Sequence, residues 1–391
     1  MINYLKLRGG YATSANFGSP YSTRNTLNIS TNVFVDRVGT VINQNTISDR
    51  LANPNLQPEL LKELEVGLEG KFINNRLNLD FTYYNRVSKD QILDRELDPA
   101  TGFTVTSINA GSVRNQGIEI ALGYTVVRTK DWNWQLDGNF TRNRNKVFDL
   151  PSDIKQIGIA GFSNEGLFVI NNQPLGVIQA TSTQKDPKTG QRLVNSNGDY
   201  ISSTEIGIIG DPNPDYKLTG ISTLSWKGFS FRMQWDFTKG GNMLAYTPGT
   251  LVGRGLTKDT EFDRYLPIIL PGVKEDGSVN DVQISASQAY FNNFSGFFGM
   301  QDLITYDATI LRLREASLSY SLPQTVLSKT PFGSASITIS GQNLWYNAPY
   351  FPKHVNFDPE VNSLGVSNGR GYETLAGPTS RRVGASLRVT F

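Results

Sequence analysis

Between Phe229 and Phe237 every second side chain is large and apolar (Phe229, Phe231, Met233, Trp235, Phe237), while Ser230, Arg232, Gln234 and Asp236 fill the positions between them. Successive side chains of a strand point to opposite faces, so this segment carries one aromatic, apolar face and one polar, charged face. Such a strand must set its apolar face against a protein core or against lipid. The pattern recurs along the chain. Leu64, Val66, Leu68 and Phe72 alternate with Glu65, Gly67, Glu69 and Lys71, and after a short turn Leu77, Leu79, Phe81 and Tyr83 alternate with Asn78, Asp80, Thr82 and Tyr84. These strands, near residues 63–72 and 76–86, form a hairpin. Further pairs are expected at 116–126 with 132–143, 217–226 with 229–238, and 310–322 with 334–344, and single strands at 2–11 and 381–391. The strand at 310–322 changes phase between Leu313 and Ala316, as a β-bulge makes it do.

Ten strands of about ten residues exceed the roughly five or six usual in soluble sheets and match the roughly nine to eleven that a tilted strand needs to cross a bilayer. The connections alternate between short turns and long loops, two of which, after Asn145 and after Gly240, run to about 70 residues. Short turns at one rim and long loops at the other are the plan of an outer-membrane barrel, with the short-turn rim periplasmic. Phe72, Trp132, Trp226, Phe229 and Phe391 fall at the short-turn ends, where an aromatic girdle sits at the interface. The expected fold is therefore all-β, a transmembrane antiparallel β-barrel. The alternative is a large soluble antiparallel sandwich, whose half-buried strands also alternate.

Other classes have little support. Lys plus Arg (37) nearly balances Asp plus Glu (35), which leaves no broad basic surface for nucleic acid. With no cysteine there is no disulfide framework, Cys-based zinc site or thiol nucleophile. No apolar run is long enough for a membrane-spanning helix, and "MINYLKLRGGYATS" lacks the charged and apolar regions of a signal peptide. No phosphate-binding glycine motif is present.

The alternation itself nominates binding residues. Asp80, Glu119, Gln135, Asp137, Asn139, Arg232, Gln234, Asp236, Arg312 and Arg314 should line a wet interior, most of them bonding the wall, water or a plug and a minority touching substrate. Tyr246, Tyr290, Phe291, Phe294, Phe297 and Phe298, in a long loop, are the candidate contact surface for a sugar, peptide or lid protein, the alternative being a loop that packs on itself. His354 is the only histidine, so a Ser/His/Asp site would have to be built around it, and no catalytic residue is expected. No cofactor or metal is expected; a structural calcium at "NSNGD" or a cation at Asp358 and Glu360 of "FDPE" is the alternative to plain turn geometry. "QRLVNSNGDYIS" reads as a small hairpin turning at Asn197 and Gly198.

Several segments in order resemble the C-terminal part of SusC/RagA-type TonB-linked outer-membrane transporters of Bacteroidetes. They are "NPNLQPELLKELEVGLEGKFINNRLNLDFTYYNR", "NAGSVRNQGIEIAL", "WQLDGNFTRNRNKV", "GDPNPDYKLTGISTLSWKGFSFRMQWDFTKGG", "LRLREASLSYSLP", "GQNLW", "FDPE" and the closing "RRVGASLRVTF". The resemblance covers nearly the whole chain apart from the longest loops. The sequence departs from the family's pattern at "GNMLAYT" after Gly240, and its sole Pro-x-x-Arg match is Pro378 to Arg381.

The resemblance implies that the ten strands are the last ten of a 22-stranded barrel whose signal peptide, TonB box and plug lie outside this chain, with Met1 an internal methionine or a truncated gene start. It also implies import of an oligosaccharide or peptide, a SusD-like surface lipoprotein as lid, outer-membrane lipid around the barrel, and energy from the TonB complex through the N-terminal part. As a fragment the sheet is expected to be open, with strands 2–11 and 381–391 as unpaired edges. A self-contained ten-stranded barrel, acting as an enzyme or adhesin, is the other reading and requires those two strands to pair.

Overall fold

The alternating segments form a single antiparallel sheet of ten strands whose spatial order is their order in the chain. The computed structural model describes the chain except residues 1, 30–33, 43–44, 163, 356 and 365–367 and the side chains of 29, 34, 42 and 298. The strands are β1 (Ile2–Asn16), β2 (Glu59–Phe72), β3 (Leu77–Lys89), β4 (Ser112–Arg128), β5 (Trp132–Phe148), β6 (Tyr216–Trp226), β7 (Phe229–Lys239), β8 (Ile310–Ser321), β9 (Ser334–Asn347) and β10 (Arg382–Thr390). Several run past the apolar alternation at the long-loop rim: β1 continues to Asn16, β2 begins at Glu59, and β5 reaches Phe148. There the ladder continues through residues that do not alternate, such as the adjacent Leu60 and Leu61 and the adjacent Val147 and Phe148, so periodicity gives no sign of it.

Register keeps the two faces pure. Phe231 lies opposite Leu224 and Leu318, Leu318 opposite Ile339, and Ile339 opposite Ala385. One residue along, Arg232 lies opposite Thr223 and Ser317, and Ser317 opposite Ser340. The apolar face has nothing packed on it: Leu318 is 47 % exposed, Val66 49 % and Ile339 58 %. A sandwich would bury these side chains between sheets about 10 Å apart, so the soluble alternative fails on this face. No helix among the described residues is long and apolar enough to cross a membrane.

β1 and β10 are the two edges of the sheet, and among the described residues they pair only with β2 and β9. The closure that a self-contained ten-stranded barrel requires is not made. Where the phase of β8 changes, its register against β7 and β9 shifts between Leu313 and Glu315. Arg314 is therefore the extra residue of a bulge, and opposite it Asn343 adopts a left-handed φ of 52°.

Short connections (73–76, 129–131, 227–228 and 322–333) lie at one rim and long ones (17–58, 90–111, 149–215, 240–309 and 348–381) at the other. At the short rim Trp132 stacks on Trp226 at 5.6 Å, Trp226 on Phe229 at 6.3 Å, and Phe229 contacts Tyr320 at 4.4 Å. This is the expected girdle, extended by Tyr320; Phe391 contacts Phe332 beside it.

The buried core lies in the long connections, which fold on one another. Asn242–Ala245 pairs with Thr305–Asp307 and with Tyr372–Glu373, and Leu193–Val194 pairs with Val273–Lys274. Leu167, Ile178, Leu244, Tyr246 and Ile304 pack into one cluster, each with no exposed surface. Two helices stand in this cap, α1 (Tyr246–Gly253) and α2 (Ala286–Phe294). Val194 bridges to Tyr200 across the expected hairpin, with Gly198 at φ 86° in its turn.

Candidate lumenal surface and loop cap

On the polar face long side chains reach across neighbouring strands wherever a glycine makes room. Arg8 of β1 passes over Gly67 of β2 to Asp80 of β3, donating to both carboxylate oxygens at 2.9 and 2.7 Å and also to Thr82. A β-carbon at position 67 would collide with the Arg8 guanidinium, so the glycine is what lets Arg8 lie flat. Tyr84 crosses Gly117 in the same way, and its hydroxyl donates to Asn143 Oδ1 at 3.0 Å. Farther along, Gln135 donates to Asp137 at 3.0 Å, Arg232 pairs with Glu315 at 3.2 Å, and Gln234 donates to Asp236 at 3.1 Å. Glu119 stands exposed between Thr82 and Thr141 in the register.

The densest group is at the long-loop end. Arg314, aimed by the bulge, donates to Asp236 at 2.6 Å and to both oxygens of Glu360 at 2.8 Å. Arg312 is bound to Asp358, with Glu360 at 3.5 Å, Asn343 at 3.3 Å and the Tyr346 ring 5.3 Å from its guanidinium. The sequence expectation of a wet environment is corrected here: Arg312 is 1 % exposed and Asp358 3 % exposed. Alternation places Arg312 on the interior face, but the connection 348–381 folds back over it. Charges taken out of water this far are tolerated only when paired and hydrogen-bonded. The same pairing accounts for the carboxylates of "FDPE": Asp358 and Glu360 face arginines, and among the described residues no group of three or more acidic or histidine ligands converges. Asp199 of "NSNGD" accepts from Gln288, Asn292 and Asn293 and so ties the small hairpin to α2.

Between this tethered connection and the tops of β6, β7 and β8 lies a cleft of about 470 Å³. Lys217, Thr238, Asn242, Glu360, Asn362 and Arg370 line it. Cationic, anionic and amide groups face one cavity with Met243 and Ile310 beside them, a surface suited to a polar solute with some apolar body.

The loop aromatics divide. Tyr246 has no exposed surface, stacks on Phe297 at 4.4 Å and meets Tyr372 at 6.0 Å, and burial pushes its phenol up from the ordinary tyrosine range. It belongs to the core, a correction to its expected place on a contact surface. The self-packing alternative holds for Tyr246 because the loop supplies its own apolar partners. Tyr290 sits half-buried between Phe262 and Phe294, at 5.4 and 5.5 Å. Phe291 and Phe297 are 47 % and 40 % exposed; the Phe298 side chain lies outside the described residues. His354 Nδ1 lies 3.1 Å from Asp259 Oδ1 and its amide donates to Asp259 Oδ2 at 2.9 Å, which joins two connections. Arg8, Tyr84 and Asn143 were not nominated by the sequence reading; the glycines directly across the register, Gly67 and Gly117, are the available signal for them.

Comparison with known proteins places this geometry. Residues 1–344 match the family model described as TonB dependent receptor-like, beta-barrel. TonB-dependent receptor P3 of Formosa agariphila is 27 % identical over 396 residues, which covers 94 % of this chain and 37 % of that protein. TonB-dependent receptor SusC of Bacteroides thetaiotaomicron is 30 % identical over 99 residues, 25 % of this chain and 10 % of SusC. Among solved structures the RagAB peptide transporter superposes with a TM-score of 0.72 at 22 % identity, over 100 % of this chain and 41 % of that one. The chain thus spans about two-fifths of the length of these longer relatives.

Proposed function

The chain belongs to the TonB-dependent receptor-like β-barrel family, an outer-membrane family of receptors and transporters rather than enzymes, and from that premise we propose that it contributes pore wall and extracellular vestibule to a nutrient importer. The observation that supports this reading is the division of the sheet: an uncovered apolar face for lipid, an ion-paired polar face for a lumen, and a folded cap at one rim. The cargo is an oligosaccharide, with a peptide as the second reading favoured by the likeness to the RagAB peptide transporter. A SusD-like surface lipoprotein closes over the cap, and TonB supplies the energy through a plug carried by the rest of the transporter.

In operation the cleft under residues 348–381 holds cargo between Lys217, Arg370 and the amides of Asn242 and Asn362. Much of the polar face below carries charges already compensated by one another, so a polar solute can exchange partners along it. The test is uptake of labelled oligosaccharides and peptides by cells carrying or lacking the gene, with and without a protonophore. Energy-dependent uptake of either cargo that disappears with the gene supports the proposal; gene-independent uptake of both refutes it.

A further inference from the structure

Outside the lumen, a second pocket opens in the cap. Gly253, Arg254 and Gly255 at the end of α1, Arg264 and Phe262 of the following segment, and Tyr290 and Phe291 of α2 enclose about 520 Å³. Its walls are braced before any ligand arrives. Pro267–Ile268 pairs with Ile284–Ser285, and the amides of Ala286 and Ser287 donate to the carbonyls of Leu266 and Arg264, both at 2.9 Å. Ala286 and Thr260 form buried floor. Gly255 has φ 70°, and the Arg264 guanidinium lies against it, 3.4 Å from where a β-carbon would stand.

Two features of this pocket suit it to an anion. Among the described residues, neither Arg254 nor Arg264 forms an ion pair, whereas Arg8, Arg232, Arg312 and Arg314 are each bound to a carboxylate. Aromatic surface also stands beside the two cations: Phe262 and Tyr290 meet at 5.4 Å with a 46° interplanar angle, and Phe291 is 47 % exposed at the mouth. A guanidinium binds carboxylate or sulfate through paired N–H donors, and an aromatic face packs the apolar face of a flat ring. Because the helix amides are already engaged, the anion's partners in this pocket are side chains alone.

We propose that this pocket is a capture site for an acidic saccharide, with Arg254 and Arg264 holding its carboxylate or sulfate and Phe262, Tyr290 and Phe291 packing a sugar ring. The inference rests on the importer reading only for its biological use, since binding is measured without transport. The protein is purified in detergent from the outer membrane as the cell makes it, and binding is titrated with oligogalacturonate, a sulfated oligosaccharide, a neutral dextran oligomer of equal length and an acidic peptide. At least one acidic oligomer should bind at least tenfold more tightly than dextran, and Arg254→Gln with Arg264→Gln should remove that preference while Arg254→Lys with Arg264→Lys retains part of it. The two acidic probes separate carboxylate from sulfate. Equal binding of acidic and neutral oligomers, an unchanged preference in the double glutamine variant, or binding of an acidic peptide in place of every saccharide overturns the proposal. Should that variant fail to reach the membrane, the wild type decides: the preferred oligomer must shield Arg254 and Arg264 from phenylglyoxal by mass spectrometry, and absence of shielding overturns it. Gene-independent uptake with binding intact would count against the importer reading and leave this one standing.

Discussion

Replacing Asp358 by alanine tests how the cap is tied to the barrel wall. Arg312 and Asp358 have side chains 1 % and 2 % exposed. Removing one partner of a buried pair typically costs about 3–5 kcal/mol, because the remaining charge stays buried and unpaired. Here Glu360 is still 3.5 Å from the guanidinium and the Tyr346 ring 5.3 Å away, so we expect the low end, about 3 kcal/mol. At about 1.4 kcal/mol per tenfold, local opening of residues 357–360 should become roughly a hundredfold more frequent. Amide exchange in detergent, followed by mass spectrometry, reads this directly, with β7 as an internal standard that should not change. The paired replacement Arg312→Met with Asp358→Leu should restore most of the protection, since two apolar groups leave no orphaned charge. Unchanged exchange over residues 357–360 in Asp358→Ala would show that this pair does not hold the cap to the wall.

Trp235 on the apolar face and Gln234 beside it should respond unequally to arginine: Trp235→Arg should lower stability by roughly 2–4 kcal/mol in a lipid bilayer, and Gln234→Arg by far less, as read by urea-induced unfolding in vesicles. Gly117→Ala, whose β-carbon would meet both the Arg142 carbonyl and the Tyr84 hydroxyl, should push Tyr84 off its bond to Asn143 and cost about 1–3 kcal/mol, visible as a lower unfolding midpoint, whereas Gly220→Ala, where a β-carbon meets nothing, should not. The Asp94 carboxyl is held below the ordinary carboxylate range chiefly by Arg50, with Ser107 assisting. Its contribution is therefore complete above the unfolded value of about 3.9 and is lost as pH falls through the lower native one. Amide protection of Val105–Asn109 should fall in that acidic window, and Arg50→Gln should move the loss upward toward the unfolded value.

The barrel wall was legible because a lipid-facing strand has a strict period of two, and the phase change near Arg314 marked the bulge for the same reason. The small hairpin was legible from Asn197 and Gly198 alone. The cap was not, since its strands are two to six residues long and pair across distant connections, as Leu244 does with Tyr372. No local pattern foretells such pairing. Tyr246 and Arg312 show the two ways a face assignment is incomplete. An aromatic among glycines and asparagines looks exposed until a partner such as Phe297 arrives from fifty residues away, and an interior-facing arginine looks wet until a loop closes over it. The importance of Arg8 depended on Gly67, a residue whose role is visible only once the register is known.

The apolar face of this sheet meets lipid and the polar face meets water. The chain has no cysteine, so single cysteines at positions 229 to 237, each spin-labelled in the membrane-inserted protein, report each site without interference. Collision rates with oxygen, which partitions into lipid, and with a water-soluble nickel chelate should alternate out of phase: oxygen favoured at 229, 231, 233, 235 and 237, nickel at 230, 232, 234 and 236. An apolar face shielded from both reagents, or two faces equally open to nickel, would contradict the account.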